Sequence, residues 1–368
     1  MHIKLNKQVL TRCLDIVEKA LPIRTAIPAI DNILFECTEQ ALIFTATNME
    51  IDIQVKLPHF GGDNFSILFP PKIVHIVRYL PETDVDLHFR RDDYRIEVNS
   101  GQTNYVLFGA DPAHYPIIQT ETTTEHFLTF DQPLFKKVLK TTVFSASTDE
   151  SRPAFNGVLF HFNDNHLNII ASDTYRLTMK NMEIEDELKK FTEKRSLVPA
   201  KSLRELLKII GDEGLLLISP GTKQVIFKFD DIYFAARILE EKYPDISGVI
   251  PRKHITRMFT DKKTFEDTVS RASLLAEGIN QIIHFIIDES SLVVKVSSQI
   301  GKMEELVLGR YEGDNVEVLV NSKFVLDILK VMEQKEIMID FHGKNGPLVF
   351  RAPGDPTYLY LVLPVKME

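Results

Sequence analysis

The sequence predicts an α+β fold of three repeated domains, each packing two helices on antiparallel sheets. Two observations carry this. One pattern of elements recurs three times, and its apolar residues alternate in the hairpins but return at helical spacing between them. The pattern is a helical stretch, a hairpin, a second helix headed by lysine, and a closing pair of strands. The first hairpin reads Ile33-Leu34-Phe35-Glu36-Cys37, a polar turn, then Leu42-Ile43-Phe44-Thr45. The second reads Val158-Leu159-Phe160-His161-Phe162, a turn at Asn163-Asp164-Asn165, then Leu167-Asn168-Ile169-Ile170. The third reads Ile282-Ile283-His284-Phe285-Ile286, a turn from Asp288 to Ser291, then Leu292-Val293-Val294-Lys295-Val296. The second helices open at Phe69-Pro70-Pro71-Lys72, Val198-Pro199-Ala200-Lys201 and Val320-Asn321-Ser322-Lys323, so the lysines are 129 and 122 residues apart. Tyr115-Pro116 and Tyr243-Pro244 repeat at a spacing of 128. The boundaries drawn from this period are 1–123, 124–250 and 251–368.

A chain of 368 residues suits three such modules. Each would sit near the commonest domain size, large enough to bury a core. A hydrophobic fraction of 44% and a charged fraction of 26% are those of an ordinary globular protein. Cys13 and Cys37 lack ligand spacing, and Met1-His2-Ile3-Lys4-Leu5 does not open a signal peptide. The expected location is the reduced cytoplasm. The longest apolar runs, such as 282–287, are too short to span a bilayer, so no membrane partner is expected.

The net charge of −9 argues, taken alone, against a nucleic-acid binder. Its distribution argues otherwise. Six helical windows, 7–21, 70–80, 132–147, 199–211, 262–277 and 321–334, hold 16 Lys and Arg against 8 Asp and Glu. They carry +8, and the remaining chain carries −17. Periodicity sorts this charge by face. Leu203, Leu206, Leu207 and Ile210 form one stripe, opposite Lys201, Arg204 and Lys208. Ile73, Val74, Val77 and Leu80 oppose Lys72, His75 and Arg78, and Phe324, Ile328, Leu329 and Met332 oppose Lys323 and Lys330. The third window adds Lys136, Lys137 and Lys140. The fifth is the weak member, because Glu266 and Asp267 offset Lys262 and Lys263.

A solvated face is the plain reading of any one such helix. Repetition in module after module points instead to a shared phosphate-bearing partner. No aromatic residues interleave with the stripes, and no window resembles a base-reading helix, so duplex backbone contacted without sequence preference fits best. Helices pack about 10 Å apart, so six in a circle leave an opening of roughly 9 Å after one helix thickness is removed. Twelve leave roughly 28 Å. A duplex is roughly 20 Å across, its major groove alone being about 12 Å wide. If these helices line a hole for DNA, two chains are needed.

No catalytic constellation stands out. Gly301-Lys302-Met303 and Gly343-Lys344-Asn345 lack the rest of a phosphate-cradling loop, and no Gly-x-Ser-x-Gly elbow occurs. His161 and His166 flank a hairpin turn without a third metal ligand nearby. Asp92-Asp93 and Asp230-Asp231 read as turn residues, and Asp84 and Asp86 as the solvent side of a strand. Neither a cofactor nor an enzymatic activity is expected.

The run Asn156-Gly157-Val158-Leu159-Phe160, followed by Ala171-Ser172-Asp173-Thr174-Tyr175-Arg176-Leu177, resembles the bacterial DNA polymerase III beta subunit family, the sliding clamps. Tyr243-Pro244-Asp245 and the tail Tyr360-Leu361-Val362-Leu363-Pro364-Val365-Lys366 agree with it, as do the triplication and the length. The family usually has Thr-Asp-(Gly or Ser)-His-Arg-Leu where this chain has Ser172, Thr174 and Tyr175. It often has Leu in place of Phe155, and sometimes a basic residue in place of Gly248.

The resemblance implies three clamp-type domains in a head-to-tail homodimeric ring around duplex DNA. It implies a processivity factor that tethers the replicative DNA polymerase subunit, is opened by a clamp loader, and serves other clamp-binding-motif proteins. Their shared groove would lie between the second and third modules. Carried over, its residues are Phe155, Ser172, Thr174, Tyr175, Arg176 and Leu177, with Pro244, Val249, Leu361, Leu363, Pro364 and Val365. Apolar walls with a few polar groups suit a short peptide's Leu or Phe anchors. Leu361 and Leu363 also read as alternation in an ordinary strand, one face core and the other groove. For DNA the resemblance implies Arg24, Arg78 and Lys201. A nucleic-acid-processing enzyme with an unrecognised site is the alternative, and a protein-recruiting scaffold that does not touch DNA is a third reading.

Overall fold

The computed structural model describes residues 1–61, 64–81, 84–118, 126–163, 165–184, 194–278, 281–288 and 291–366. The predicted turns at Asp164 and at 289–290, and the boundary between 123 and 124, lie outside the described residues. The element order repeats as the sequence predicts. The first copy runs β1 (His2–Asn6), α1 (Lys7–Val17), β2 (Ile33–Cys37), β3 (Ala41–Thr47), β4 (Ile51–Pro58), β5 (Phe65–Phe69), α2 (Lys72–Tyr79), β6 (Asp84–Arg90), β7 (Arg95–Ser100) and β8 (Thr103–Phe108). The second runs β9 (Leu128–Asp131), α3 (Gln132–Thr142), β10 (Gly157–Asn163), β11 (His166–Ser172), β12 (Arg176–Glu183), β13 (Arg195–Pro199), α4 (Ala200–Ile209), β14 (Leu215–Pro220), β15 (Gln224–Phe229) and β16 (Ile232–Arg237). The third runs β17 (Thr256–Asp261), α5 (Lys262–Ser273), β18 (Ile282–Asp288), β19 (Ser291–Ser297), β20 (Lys302–Val307), β21 (Arg310–Gly313), β22 (Val316–Asn321), α6 (Ser322–Val331), β23 (Glu336–Phe341), β24 (Leu348–Ala352) and β25 (Asp355–Val362), with β21 its one addition.

All six helical windows hold helices, each shorter than its window. Short 3-10 turns at Glu18–Ala20 and Val143–Ser145 take up the ends of the first and third. Helix starts follow local chemistry. Asn6, Asp261 and Asn321 accept backbone N–H groups at the heads of α1, α5 and α6. Each such cap contributes about 1 kcal/mol. Helix α2 instead follows Pro70-Pro71, whose fixed φ suits a first turn.

The chain divides into two compact units, Met1–Lys136 with Ser202–Ile238, and Lys137–Lys201 with Leu239–Glu368. The first holds two antiparallel sheets, ordered β1-β6-β7-β8 and β5-β2-β3-β4-β16-β15-β14-β9. Stacked Phe35 and Phe69 (ring centroids 4.9 Å apart) anchor its core, with Phe44 and Phe89 around them. The second unit holds β20-β19-β18-β22 and β13-β10-β11-β12-β25-β24-β23-β17-β21. One continuous core there gathers Phe265, Phe285, Phe341, Phe350 and Tyr360.

The repeat explains why units and copies do not coincide. Strand β4 of the first copy pairs with β16 of the second, Ile53 opposite Phe234. Strand β12 of the second copy pairs with β25 of the third, Thr178 opposite Tyr360. Half of each copy is thereby sewn to half of the next by backbone hydrogen bonds. Two strands in the corresponding positions, β8 of the first copy and β20 of the third, stand at sheet edges.

Candidate functional site

The groove residues proposed from sequence lie in the second unit. Strands β10, β11 and β25 place apolar residues on both faces, at Leu159 and Phe160, Ile169 and Ile170, and Tyr360 and Leu361, which is the local reason a second cluster can form. In β25, Tyr358, Tyr360 and Val362 enter the main core. Leu359 and Leu361 turn the other way, joining Leu159, Ile170, Leu177, Leu197, Tyr243 and Val349. Phe155, Met179, Leu239, Ile246 and Ile250 pack against this patch from its partly exposed side. The Phe155 ring meets Tyr243 edge-on, centroids 5.8 Å apart. Thus Leu361 is buried in this second cluster, whereas Leu363 lies beyond the strand and is exposed. Val249 and Pro244 are exposed on the segment that rims the patch. The tail is pinned by Leu363 N–H to the Tyr175 carbonyl and Val365 N–H to the Leu319 carbonyl, both 2.8 Å, with Pro364 between them.

The turn from β11 to β12 is held from within. Ser172 Oγ donates to the Arg176 carbonyl (2.7 Å) and accepts the Thr174 N–H (3.1 Å). Asp173 Oδ1 accepts the N–H groups of Tyr175 and Arg176. These bonds hold Thr174 at φ 78°, a left-handed conformation that costs a β-branched residue on the order of 1–3 kcal/mol. Tyr175 is exposed, and its ring stacks on Phe324 at 6.4 Å.

Arg176 is engaged by its own neighbours. Its side chain is 10% exposed. It donates from Nε to Asp173 Oδ2 (2.8 Å), from Nη1 to Asp327 Oδ2 (2.6 Å) and from Nη2 to the Phe144 carbonyl (3.2 Å). Burial pulls its pKa down, yet Tyr360, Asp327 and Asp173 hold it above the ordinary arginine value. Its donors therefore tie the turn to α6 and to the Phe144 carbonyl.

Among the described residues, the three equivalent positions are lined differently. The register Leu42↔Leu57, Leu167↔Met182 and Leu292↔Val307 shifts by 125 residues each time. In the first copy, Met49 takes the place of Thr174 and shares its positive φ. There Ile118 fills the site, packing on Ile30, Leu68 and Tyr115. In the third copy, His284 stands in the place of Leu159, and a 360 Å³ cavity there mixes charged and aliphatic walls: His284, Glu317 and Lys344 with Val318, Leu319 and Val365 of the tail.

The basic stripes are surface features, as expected, but their charge is not uniformly available. Arg24, Lys72, Lys137, Lys140, Lys201, Lys208, Lys323 and Lys330 are exposed. Arg78 donates to Asp15 (2.8 Å) and Glu18 (2.6 Å). Lys136 pairs with Asp212 (2.7 Å), Lys137 with Glu333 (2.6 Å) and Lys208 with Glu205 (2.8 Å). Arg204 is half-buried, and burial lowers its pKa. Among the described residues, Arg24, Lys72, Lys140 and Lys323 have no ion pair. In the fifth window, Lys263 pairs with Asp267, the offset the sequence showed.

Among the described residues, no group of three His, Cys, Asp or Glu side chains is placed to hold a metal. His161 and His166 are not opposite each other, since His161 faces Asn168. Asp230 and Asp231 do sit in a turn, and Asp231 is paired with Arg12 at 2.5 Å. No helix of the described residues is long and apolar enough to cross a membrane.

Comparison with known families decides the kinship. Models of the DNA polymerase III beta subunit match three times over, the N-terminal domain at residues 1–119, the central domain at 129–245 and the C-terminal domain at 247–366. The chain belongs to the DNA polymerase III beta subunit family. Within that family it is 32% identical to the beta sliding clamp of Bacillus subtilis strain 168 over 383 residues, and 31% identical to that of Halalkalibacterium halodurans over 380, with both chains covered completely in each case. The crystal structure of the DNA polymerase sliding clamp from Bacillus subtilis superposes with a TM-score of 0.94 at 30% identity, again over both full chains. The apolar cluster also holds residues that sequence alone did not single out for it: Leu159, Ile170, Met179, Leu197 and Ile246. Their signal was the doubly apolar character of β10 and β11.

Proposed function

We propose that this chain is a DNA polymerase processivity factor. Two copies close head to tail into a ring that encircles duplex DNA without reading its sequence. The ring tethers the replicative polymerase subunit, the clamp loader and other proteins bearing clamp-binding motifs through the Leu177–Leu361 groove. It acts in the cytoplasm and carries out no chemistry of its own. Its three domains divide near residues 123 and 250.

The observation that carries this reading is the pair of free edges. The register Leu87↔Val98↔Tyr105, Ile218↔Phe227↔Phe234 and Ile339↔Phe350↔Tyr360 makes Tyr105, Phe234 and Tyr360 equivalent. Phe234 and Tyr360 are fully buried where one copy of the repeat joins the next. Tyr105 is 40% exposed on the β8 edge, and Leu306 is 54% exposed on β20. The same joint made between chains would set Tyr105 opposite Met303 of a second copy, hiding apolar edges that soluble proteins rarely leave open. Two such joints close two chains, and two chains are what the helix spacing requires.

The test is topological. After loading, the protein should stay on closed circular DNA and slide off the same DNA once linearised. Retention on circles should survive high salt, because a topological link does not depend on counterion release. Equal loss from circles and linear molecules refutes the ring. Divalent-metal-dependent turnover of DNA by the purified protein would favour an enzyme instead.

A further inference from the structure

The turn that shapes the groove and the basic stripe of α6 share one guanidinium. Arg176 grips Asp173, which organises the turn, and Asp327, which belongs to α6. Asp327 follows Lys323 by four residues and precedes Lys330 by three, so all three share one helix face. Its Oδ2 accepts from Arg176 at 2.6 Å, while its Oδ1 lies 3.8 Å from Lys330 Nζ. The same helix supplies Phe324, which lies 4.6 Å beneath the Arg176 guanidinium and stacks on Tyr175. Asp327 therefore has two cationic partners, one on the groove side and one on the stripe.

We infer that Asp327 and Arg176 couple duplex DNA at α6 to peptide binding in the groove. The inference rests on the processivity-factor reading of both surfaces. When phosphates draw Lys330 away, Asp327 keeps Arg176 as its sole cationic partner. Arg176 is then fixed more firmly over Phe324, and through Asp173 it steadies the Ser172–Arg176 turn and Tyr175. The groove meets its peptide already ordered, so less ordering entropy opposes binding. Linkage requires the reverse effect too: a bound peptide tightens the grip on DNA by the same factor. Coupling needs an element with two arrangements, and the Asp327 carboxylate supplies them, shared between Arg176 and Lys330 or held by Arg176 alone.

The test measures anisotropy of a short fluorescein-labelled peptide with Leu and Phe anchors, titrated with the full-length protein at low salt. It is run with and without saturating linear duplex. Wild type should bind the peptide about fivefold tighter with DNA present, at the low end of ordinary coupling factors. Asp327→Asn, close in shape but uncharged, should bring that ratio to about one, whereas Asp327→Glu should keep it above about twofold. Thermal melts check that each variant is folded. A merely structural Asp327 would change both affinities and leave their ratio alone. Coupling is overturned if wild type binds both ligands with a ratio of one, or if the two variants retain or lose the ratio together. Wild type that binds no duplex, or no peptide, overturns the processivity reading as well, and the separate titrations tell these failures apart.

Discussion

Replacing Tyr105 by alanine is the sharpest probe of the inter-chain joint. The side chain is 40% exposed in one chain, and its equivalents Phe234 and Tyr360 are fully buried at the internal joints. Complete burial of an aromatic side chain stabilises by roughly 3 kcal/mol. The part still open here is then worth about 1.2 kcal/mol at one joint. A closed pair of chains has two joints, so Tyr105→Ala should weaken dimerisation by about 2.4 kcal/mol, roughly 50-fold in Kd. Sedimentation velocity across a dilution series distinguishes a 42.1 kDa chain from twice that mass. A companion melt at monomeric concentrations separates the loss of the joint from the loss of packing within the unit. A dissociation constant within about threefold of wild type refutes the edge-pairing argument, because the double count leaves no room for so small an effect.

Two further outcomes follow from buried polar groups. The Tyr243 hydroxyl is buried in the second apolar cluster without a hydrogen-bond partner among the described residues, and leaving such a group unsatisfied costs about 1–3 kcal/mol. Tyr243→Phe should therefore raise stability by about 1 kcal/mol in urea unfolding, and a loss of similar size would show that the hydroxyl is satisfied in solution. Burial lowers the pKa of His342, although its Nδ1 lies 2.8 Å from the Pro347 carbonyl. The unfolded chain then takes up this proton first, so stability falls as pH drops below about 6.5 toward the lower folded value. His342→Gln should flatten that part of the stability curve; an unchanged slope between pH 7 and pH 5, about the range in which histidine titrates, assigns the effect elsewhere.

The helices and hairpins were legible in the sequence because each is a local period. Leu203 and Leu206 on one stripe, or Val158 and Phe160 in one hairpin, declare their element without help from the rest of the chain. The groove was legible in part, because Leu361 and Val362 alternate between two apolar clusters. Partner choice was not legible. Nothing local tells β4 to pair with β16, or β12 with β25, since those registers are settled between segments far apart in sequence. The same distance hid the fate of several cations. Arg78 meets Asp15 from 63 residues away, and Arg176 meets Asp327 from 151 away. A count of basic residues on helix faces therefore overstates the positive charge that phosphates would meet.

That overstatement bears on how a chain of net charge −9 can hold DNA at all. A ring that slides must attract the backbone weakly. Each free lysine that neutralises a phosphate releases counterions and steepens the dependence on salt. In the ring proposed above, stripes in which Lys136, Lys137 and Lys208 already face carboxylates would offer a shallow field, and the attraction would fall to lysines such as Lys72, Lys140 and Lys323, which have no ion pair among the described residues. Affinity is low by construction, and persistence on DNA must come from closure of the two joints. This is why the exposed aromatic edge at Tyr105, and not any lysine, is the feature on which retention depends.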